Sequence, residues 1–396
     1  MTRGHGDHHI VVLGAGYSGL FAALGLARRT RQLGTRITLV NPSDTLTERV
    51  RMHQIATGQT LAEYRIPDII AGTGITFVQD RARALDPTAQ HIILDWADQA
   101  LTYDTLVYAI GSVADSRTVP GVAAHAYTLD DVPAAQRLAN RLAQLPDGAP
   151  VVVAGAGLTG VELASEIAES HPRLRVRLLS RTEPGWTLNK RARAYLQRAL
   201  ERLGVEIRAG VEITKVLPEA VELADGELVN SAATAWTTGF VSSPLAAKAG
   251  LTVDAIGRIV VDNTLRSVSH PSVHAIGDAA AVRQAWGMLY STCQSGIPTA
   301  AYTAGAIARL LKGKKLRPFR FGYSYQPISL GRRDGVVQFT KPDRTPVRWY
   351  LSGRPAARFK EAVTSSPLLA YRLAKRFAIP AGLIMRPDVG FRWSAS

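Results

Sequence analysis

The sequence contains a single cysteine, Cys293, among its 396 residues. An intrachain disulfide is therefore impossible, and so is any redox mechanism that passes electrons through a cysteine pair of this chain. The sequence contains no run of eighteen consecutive apolar residues, which excludes a membrane-spanning helix. The N-terminal segment runs from polar residues directly into an apolar strand pattern at Ile10, without the apolar region and cleavage site of an export signal. We therefore predict a cytoplasmic protein without a metal site.

Acidic residues are scarce near the C-terminus. The formal net charge of the chain is +15, and from Lys312 onward there are 18 Lys and Arg but only 4 Asp and Glu. Nearly all the positive excess therefore lies in the last fifth of the sequence. Such asymmetry indicates either a contact surface for phospholipid, an acidic protein, nucleic acid or an anionic substrate, or a solvated basic face without a partner.

Two glycine-rich turns are the strongest motifs. Each follows an apolar strand pattern, opens a helix of small residues, and is followed about 25 residues later by a second strand, as a Rossmann unit requires. The first glycine permits a tight turn, the second lets a pyrophosphate approach the backbone, and the third lets helix pack on strand. We predict that both turns bind dinucleotides, through Gly14, Ala15, Gly16, Ser18 and Gly19 in the first and Gly155, Gly157, Leu158, Thr159 and Gly160 in the second.

The residue that ends the second strand of such a unit usually bonds the ribose of the dinucleotide. In the first unit this residue is Asn41, an amide that can still form the bond. In the second unit Ser180 and Arg181 suit the 2′-phosphate of NADPH, whereas Glu183 could instead hold the ribose of NADH. NADPH is favoured, and NADH stays open.

The remaining pattern predicts an α/β fold: two Rossmann-type dinucleotide-binding domains with β-meander insertions, followed by a small C-terminal α+β module. Alternating strand patterns separated by turn residues occur after each glycine unit, and the glycine-helix pattern stops near Tyr323. The predicted boundaries are 1–115 with 241–320 for the first, discontinuous domain, 116–240 for the second, and 321–396 for the basic module.

Several further motifs occur in a fixed order. Besides the two glycine turns they are Tyr108-Ala-Ile-Gly-Ser112, Thr237-Thr-Gly-Phe240 and Ala275-Ile-Gly-Asp-Ala-Ala280. The ordered set resembles the two-dinucleotide-binding flavoprotein superfamily, whose members use FAD and NAD(P)H, and it covers nearly the whole chain. The segment from Ile328 to Phe339 is similar to the branch that contains the type II NADH:quinone dehydrogenases.

The resemblance implies which cofactor each unit binds. FAD would lie on the first turn, and NADPH or NADH on the second. Asp278 would bond the FAD ribityl chain, although its residue type alone also suits a helix N-cap. Glu162, early on the second glycine helix, would lie near the nicotinamide. The other cofactor-binding residues implied by the family are Ala109, Gly111, Gly277, Thr238 and Gly239.

The sequence also departs from its relatives. Disulfide reductases and sulfide:quinone reductases need at least two cysteines, so neither chemistry is available. Cys293 falls on the helix after the Asp278 segment, where it is either a small core thiol or a neighbour of the flavin. Quinone-reducing relatives carry two glutamines four residues apart on that helix, and this chain has Gln294 followed by Pro298. The catalytic residues stay unknown, with Gln294, Glu162 and Cys293 as candidates.

Two charged segments invite a functional interpretation. Glu48, Arg49 and His53 could approach the flavin or substrate, but for at least two of the three we expect a charged surface helix. Near the C-terminus Leu369, Leu373 and Phe377 recur at intervals of four, on a helix that also carries Arg372, Lys375 and Arg376. Such a helix lies on the inner face of a membrane, or docks on its own body or on a twin subunit.

The resemblance, together with the two glycine turns, implies an FAD-dependent NAD(P)H oxidoreductase that passes hydride to the flavin and electrons on to a quinone or another small aromatic acceptor, such as a specialised metabolite. One alternative is a reductase of an acidic electron-transfer protein of the ferredoxin type, docked on the basic module. Another is a non-catalytic flavoprotein similar to apoptosis-inducing factor. Nucleic acid is not an expected partner, because the basic residues lack interleaved aromatic side chains.

Overall fold

The computed structural model describes residues 8–96 and 100–378, without the side chain of Cys293. Its framework is two five-stranded sheets in which all neighbouring strands run parallel. The first sheet has the spatial order Val273–Ala275, Thr105–Tyr108, His9–Leu13, Arg36–Asn41 and Ile75–Gln79. The second has the order Glu206–Ala209, Arg175–Ser180, Pro150–Ala154, Ala233–Trp236 and Ala126–Tyr127.

The central strand of each sheet explains why these segments fold as parallel β-structure. Every residue of His9–Leu13 is buried, as are the last four of Pro150–Ala154. Parallel sheets are covered on both faces by helices, so their inner strands are continuous apolar runs rather than alternating ones. Each central strand leads through a glycine turn into a helix, Tyr17–Thr30 (the first glycine helix) or Leu158–Ser170 (the second glycine helix). The predicted Rossmann-type fold is confirmed.

The other helices cover the sheets or connect them. Two of them begin at side-chain caps, since Asp131 accepts a hydrogen bond from Ala134 N (2.8 Å) and Asn189 accepts one from Ala192 N (2.9 Å). The α-helices besides the glycine helices are Met52–Ile55, Ile66–Ile70, Val122–His125, Val132–Gln144, Lys190–Arg202, Leu245–Lys248, Cys293–Leu311 and Gly353–Arg376, and short 3₁₀ helices span Arg49–Arg51 and Gly277–Ala279.

Small antiparallel sheets form the predicted β-meanders. Three of them have three strands each: Ala82–Asp86, His91–Leu94 and Leu101–Thr102; Ile213–Val216, Ala220–Leu223 and Leu228–Asn230; and Tyr325–Ser329, Gly335–Thr340 and Pro346–Ser352. Antiparallel two-stranded pairs join Ser112–Ala114 to Phe240–Ser242 and Arg283–Gln284 to Gly287–Met288, and a parallel pair joins Ile259–Val260 to Ala280–Ala281. The first of these pairs brings together the two segments that connect one parallel sheet to the other.

The last helix, Gly353–Arg376, is called the tail helix below. It packs against the first glycine helix through Tyr371 and Ala374, each 2% exposed, and the Tyr371 hydroxyl donates to the carbonyl of Tyr17 (3.2 Å). Pro367 lies inside this helix and has no N–H to donate to Val363. The Ser366 hydroxyl donates to that carbonyl (2.7 Å), so the acceptor is satisfied and the helix continues.

The apolar residues that the sequence singled out on this helix lie on a different face. Leu369, Leu373 and Phe377 are 58%, 41% and 61% exposed, and we call them the apolar stripe. The tail helix therefore does dock on its own body, but with a face other than the predicted one. Within residues 8–96 and 100–378, no helix is long and apolar enough to cross a bilayer.

Candidate functional site

The two glycine turns have the same local geometry. Gly14 and Gly155 both have a φ of +102°, and a Cβ at either position would meet neighbouring atoms, Ala109 O at 2.5 Å in one case and Thr238 Cβ at 2.9 Å in the other. Only glycine fits such a position. The loop that follows the neighbouring strand therefore requires glycine at the first position of each motif.

The second glycine of each motif borders open space instead. A Cβ at Gly16 or at Gly157 would meet no atom within 4 Å. Both glycines are N-cap residues, and neither of the helices that they begin has a side-chain cap. The first N–H groups of each helix therefore point towards this space, where a phosphate would be bound by the backbone and the helix dipole. Both turns fit the pyrophosphate of a dinucleotide.

The predicted ribose-binding residues lie beside the turns. Asn41 accepts a hydrogen bond from Ala15 N (2.9 Å) and donates one to Ser43 O (2.7 Å), so its amide also holds the first turn in shape. In the second unit the Ser180 hydroxyl donates to Thr182 O. The guanidinium of Arg181 is 74% exposed and 3.8 Å from the carboxylate of Glu212.

Glu183, the alternative ribose ligand, accepts a hydrogen bond from Gln197 Nε2 (3.2 Å). Leu158 and Thr159 begin the second glycine helix, as expected for residues that follow the turn. Arg181 therefore lies exposed at the mouth of the second unit, while Glu183 is engaged by a neighbouring helix.

Asp278 lies beside the loop that follows the strand Thr105–Tyr108. The Ser112 hydroxyl donates to Asp278 Oδ2 (3.0 Å), and a Cβ on Gly277 would meet the Ser18 hydroxyl at 2.6 Å. Asp278 lies within a 3₁₀ turn and caps no helix, since the next α-helix begins at Cys293. The segments around Gly14–Gly19, Ala109–Ser112 and Asp278 thus lie together.

The second pair of predicted loop residues borders this region. Gly239 accepts a hydrogen bond through its carbonyl from Asp115 N (3.0 Å), just beyond Gly111 and Ser112. Thr238 touches the second glycine turn, as described above for Gly155. The loop 238–239 therefore contacts both the connection that leaves the first sheet and the second turn.

A buried carboxylate, Glu162, lies on the second glycine helix, two residues after the last glycine of the turn, Gly160. It is 5% exposed, and its Oε1 is 2.9 Å from Lys360 Nζ and accepts a hydrogen bond from Ser329 N (3.0 Å). His53 Nδ1 lies 4.0 Å from Oε2. Burial favours the neutral acid, but the charge of Lys360, together with His53 and the Ser329 hydrogen bond, lowers the pKa of Glu162 below its ordinary value. Glu162 is therefore a buried anion held by three segments of the chain.

The expected surface helix around Glu48, Arg49 and His53 is wrong. Glu48 and His53 are 7% and 4% exposed, and the guanidinium of Arg49 donates to Ser112 O. Met52, on the same short helix, belongs to the apolar core. The segment is buried because it lies between other helices, and its charged groups are used internally.

Burial of His53 predicts a pH-dependent stability. Desolvation lowers the pKa of His53 from 6.5 to about 4, so the folded state holds it neutral while the unfolded chain takes up a proton below 6.5. Its contribution is thus fully present above pH 6.5 and is lost as pH falls towards 4, at about 1.4 kcal/mol per pH unit. We expect His53→Gln to flatten the decline in the free energy of unfolding between these pH values, measured by denaturant titration. A variant with the slope of the wild type would contradict the expectation.

The candidate residues on the helix Cys293–Leu311 are placed as follows. Gln294 is partly buried in its first turn, and Pro298 is buried one turn later. The side chain of Cys293 lies outside the description, so the choice between a core thiol and a neighbour of the flavin stays open. Among the described residues, no group of three His, Cys, Asp or Glu side chains could hold a metal ion.

The site also contains residues that the sequence did not reveal. Lys360 lies in the basic module, which was interpreted only as a contact surface, and Ser329 lies on a short strand of the same module. No spacing links either residue to Glu162. The one available signal was the similarity of the segment 328–339 to a known branch, which marked Ser329 without giving it a role.

Comparison with known proteins agrees with this geometry. Residues 8–307 match the family model described as pyridine nucleotide-disulphide oxidoreductase. An NADH dehydrogenase-like protein of Mycobacterium tuberculosis is 31% identical over 380 residues, covering 90% of this chain and 93% of the relative. The type II NADH:quinone oxidoreductase of Staphylococcus aureus is 25% identical over 386 residues, covering 89% and 93%. The sulfide:quinone oxidoreductase of Aquifex aeolicus has the same fold, with a TM-score of 0.80, 17% identity and coverage of 93% and 92%.

The chain belongs to the pyridine nucleotide-disulphide oxidoreductase family. It is an FAD-dependent NAD(P)H oxidoreductase without the cysteine pair of the disulfide-reducing members. Within the family it lies in the branch of the type II NADH:quinone dehydrogenases.

Proposed function

We propose that the chain takes hydride from NAD(P)H on the second glycine turn, transfers it to FAD on the first, and delivers the electrons to a quinone or another small aromatic acceptor. The observation that carries this proposal is the pair of matching turns, each with an open second glycine and an uncapped helix N-terminus. FAD, when bound, supplies the chemistry that accepts hydride and releases electrons singly or in pairs. The protein contributes binding, orientation and charge.

The domain assignment follows from the sheets. Strands of the first sheet come from both 1–115 and 241–320, which supports one discontinuous FAD-binding domain. Strands of the second sheet all fall within 116–240, the proposed NAD(P)H-binding domain. Residues 321–396 would form the third module, which provides Ser329 and Lys360 to the buried carboxylate.

We assign the FAD to the residues that converge on the first turn. Gly14, Ala15, Gly16, Ser18 and Gly19 would hold its pyrophosphate, Asn41 its ribose, and Asp278 its ribityl chain, beside Ala109, Gly111 and Gly277. The second turn, with Ser180 and Arg181 at its mouth and Thr238 and Gly239 at its edge, would hold the nicotinamide dinucleotide.

Glu162 and Lys360 suit a site that handles protons as well as electrons. Reduction of a quinone consumes two electrons and two protons, and an ammonium group can supply protons through intervening water without touching the acceptor. Lys360 Nζ holds such protons, and its pairing with a buried carboxylate fixes where it lies. We propose Lys360 as the proton-holding group and Glu162 as its positioning residue.

Stopped-flow reduction of the bound flavin by NADH and by NADPH tests the hydride step. Rapid bleaching by one of them, followed by reoxidation with a water-soluble naphthoquinone, is the expected result. If neither nucleotide bleaches a flavin-loaded protein, the proposal fails. Arg181→Ala should weaken NADPH about tenfold while leaving NADH unaffected, since only NADPH carries the 2′-phosphate. Equal effects on both nucleotides would rule out Arg181 as the phosphate ligand.

The apolar stripe supports peripheral membrane contact on the inner face of a membrane. Leu369, Leu373 and Phe377 are exposed beside the exposed cations Arg372, Lys375 and Arg376, the arrangement of an interfacial helix. Sedimentation with anionic vesicles should fall severalfold in a Leu369→Ser, Leu373→Ser, Phe377→Ser variant, because each apolar side chain adds about 1.5–3 kcal/mol on burial. Unchanged sedimentation, or a change from dimer to monomer without vesicles, would instead favour docking on a twin subunit.

A further inference from the structure

An open cavity of about 400 Å³ lies between the second glycine helix, the segment Ser329–Asp334 and the first turns of the tail helix. His53 and Lys360 line it from the side of the buried Glu162. We call it the arginine cavity, because Arg332, Arg333, Arg354 and Arg358 all contribute to its wall.

The acidic groups of the arginine cavity are already paired. Glu166 is 2.6 Å from Arg332 Nε, and Glu361 accepts a hydrogen bond from Arg51 Nη1 (3.2 Å). Asp334 is 2.8 Å from Arg202 Nη2 and accepts a second hydrogen bond from a tyrosine hydroxyl. No lining carboxylate is therefore left to neutralise a further cation.

Three of the lining cations have no such partner. Arg333, Arg354 and Arg358 are exposed and form no hydrogen bond or ion pair with another residue of the described ranges. Arg354 and Arg358 are one helical turn apart near the N-terminus of the tail helix, whose dipole adds positive potential there. Three guanidinium groups that converge on one cavity without a counter-ion form a site for an anion.

The lining also limits the kind of anion. It contains no aliphatic side chain larger than that of Ala357. A lipid quinone, whose tail needs an apolar channel, finds no complementary surface in this cavity. A small polar molecule with several carboxylate or phosphate oxygens fits both the charge and the polarity, since guanidinium groups bind such oxygens in pairs.

We propose that the arginine cavity binds a small organic polyanion that carries carboxylate or phosphate groups, through Arg333, Arg354 and Arg358. The proposal does not depend on the identity of the electron acceptor. Because Lys360 lines the same cavity and holds Glu162, a bound polyanion lies next to the ion pair at the second glycine helix.

Isothermal titration of the FAD-loaded protein with citrate, 3-phosphoglycerate and glycerol tests the proposal. The first two probes distinguish carboxylate from phosphate recognition, and glycerol is the neutral control. We expect at least one anion to bind, and the Arg333→Gln, Arg354→Gln, Arg358→Gln variant to bind it at least about tenfold more weakly, as the loss of several charge-assisted hydrogen bonds requires.

The matched control is Arg137→Gln, Arg191→Gln, Arg198→Gln. It removes the same charge from three exposed arginines outside the cavity and should leave affinity within about twofold. Equal weakening in both triple variants, unchanged binding in the cavity variant, binding of glycerol as tight as that of the anions, or no binding of either anion would each overturn the proposal. If the triple variant folds poorly, the single variants Arg358→Gln and Arg358→Lys replace it. Arg358→Gln should weaken anion binding, and Arg358→Lys should retain part of the affinity because it keeps the positive charge.

Discussion

Gly157→Val should raise the KM for NAD(P)H by about a hundredfold or more while leaving the FAD content of the purified protein unchanged. The backbone at Gly157 is extended, with φ −67° and ψ 179°, so valine is sterically allowed there. Its side chain would enter space in which no protein atom lies within 4 Å. The fold should therefore tolerate it, but the pyrophosphate loses two or three backbone hydrogen bonds of about 1.5–3 kcal/mol each.

Gly16→Val is the matched partner of this variant. Gly16 has nearly the same backbone conformation, φ −68° and ψ −172°, and the same open surroundings. We expect it to lose FAD, measured from the ratio of flavin to protein absorbance, while the affinity for NAD(P)H, measured by titration, changes little. If Gly16→Val impaired only the nucleotide and Gly157→Val only the flavin, the assignment of the two turns would have to be exchanged.

Lys360→Met should lower the free energy of unfolding by about 3–5 kcal/mol. The substitution leaves the buried carboxylate of Glu162 without the ammonium group now 2.9 Å away. Removal of one partner from a buried ion pair costs this much because the remaining charge stays desolvated. Denaturant titration at pH 7 measures the effect, and Lys375→Met, an exposed position on the same helix, should change stability by no more than about 0.5 kcal/mol.

Adding Glu162→Gln distinguishes a buried charge from a general packing defect. If the cost of Lys360→Met arises from the isolated carboxylate, the double variant should recover most of the lost stability, since neither charge is then present. Additive losses in the double variant would show that Lys360 acts through its methylene packing instead. Turnover should stay low in both variants, because the proposed proton-holding group is absent.

The glycine turns could be predicted from the sequence because their constraints are local. The conformation of Gly14 and the space beside Gly16 depend on a strand, a turn and a helix that are contiguous in the chain. The partners of Glu162 could not be predicted in this way. Lys360 reaches it only because the tail helix packs on the strands Tyr325–Ser329 and Gly335–Thr340, far along the chain from Glu162, and no periodicity in either segment records that contact.

The error at Glu48, Arg49 and His53 has a related cause. Three titratable residues within six positions suggest an exposed helix when only composition and spacing are considered. The helix Met52–Ile55 has a single turn, and all four of its residues are buried. The 3₁₀ turn just before it, Arg49–Arg51, also finds its partners in distant segments. Ser112 accepts a hydrogen bond from Arg49, and Glu361 accepts one from Arg51. Charge in a short segment is a weak guide to exposure when tertiary partners are unknown.

The apolar stripe shows the opposite limitation. The interval of four between Leu369, Leu373 and Phe377 correctly predicted a helix, but periodicity alone could not decide which face meets the protein. Tyr371 and Ala374 make that contact, since the first glycine helix presents a complementary aromatic side chain, Phe21, with its ring centroid 6.4 Å from that of Tyr371.

The pairing of Glu162 with Lys360 also sets the order in which the site can be completed during protein synthesis. The ribosome makes both glycine turns and both parallel sheets before it reaches the tail helix. Until then the nascent chain can fold its Rossmann units while Glu162 lacks its ammonium partner and the arginine cavity has no wall on that side. A chain terminated before the tail helix would keep both glycine turns but leave the carboxylate of Glu162 without the ammonium group of Lys360.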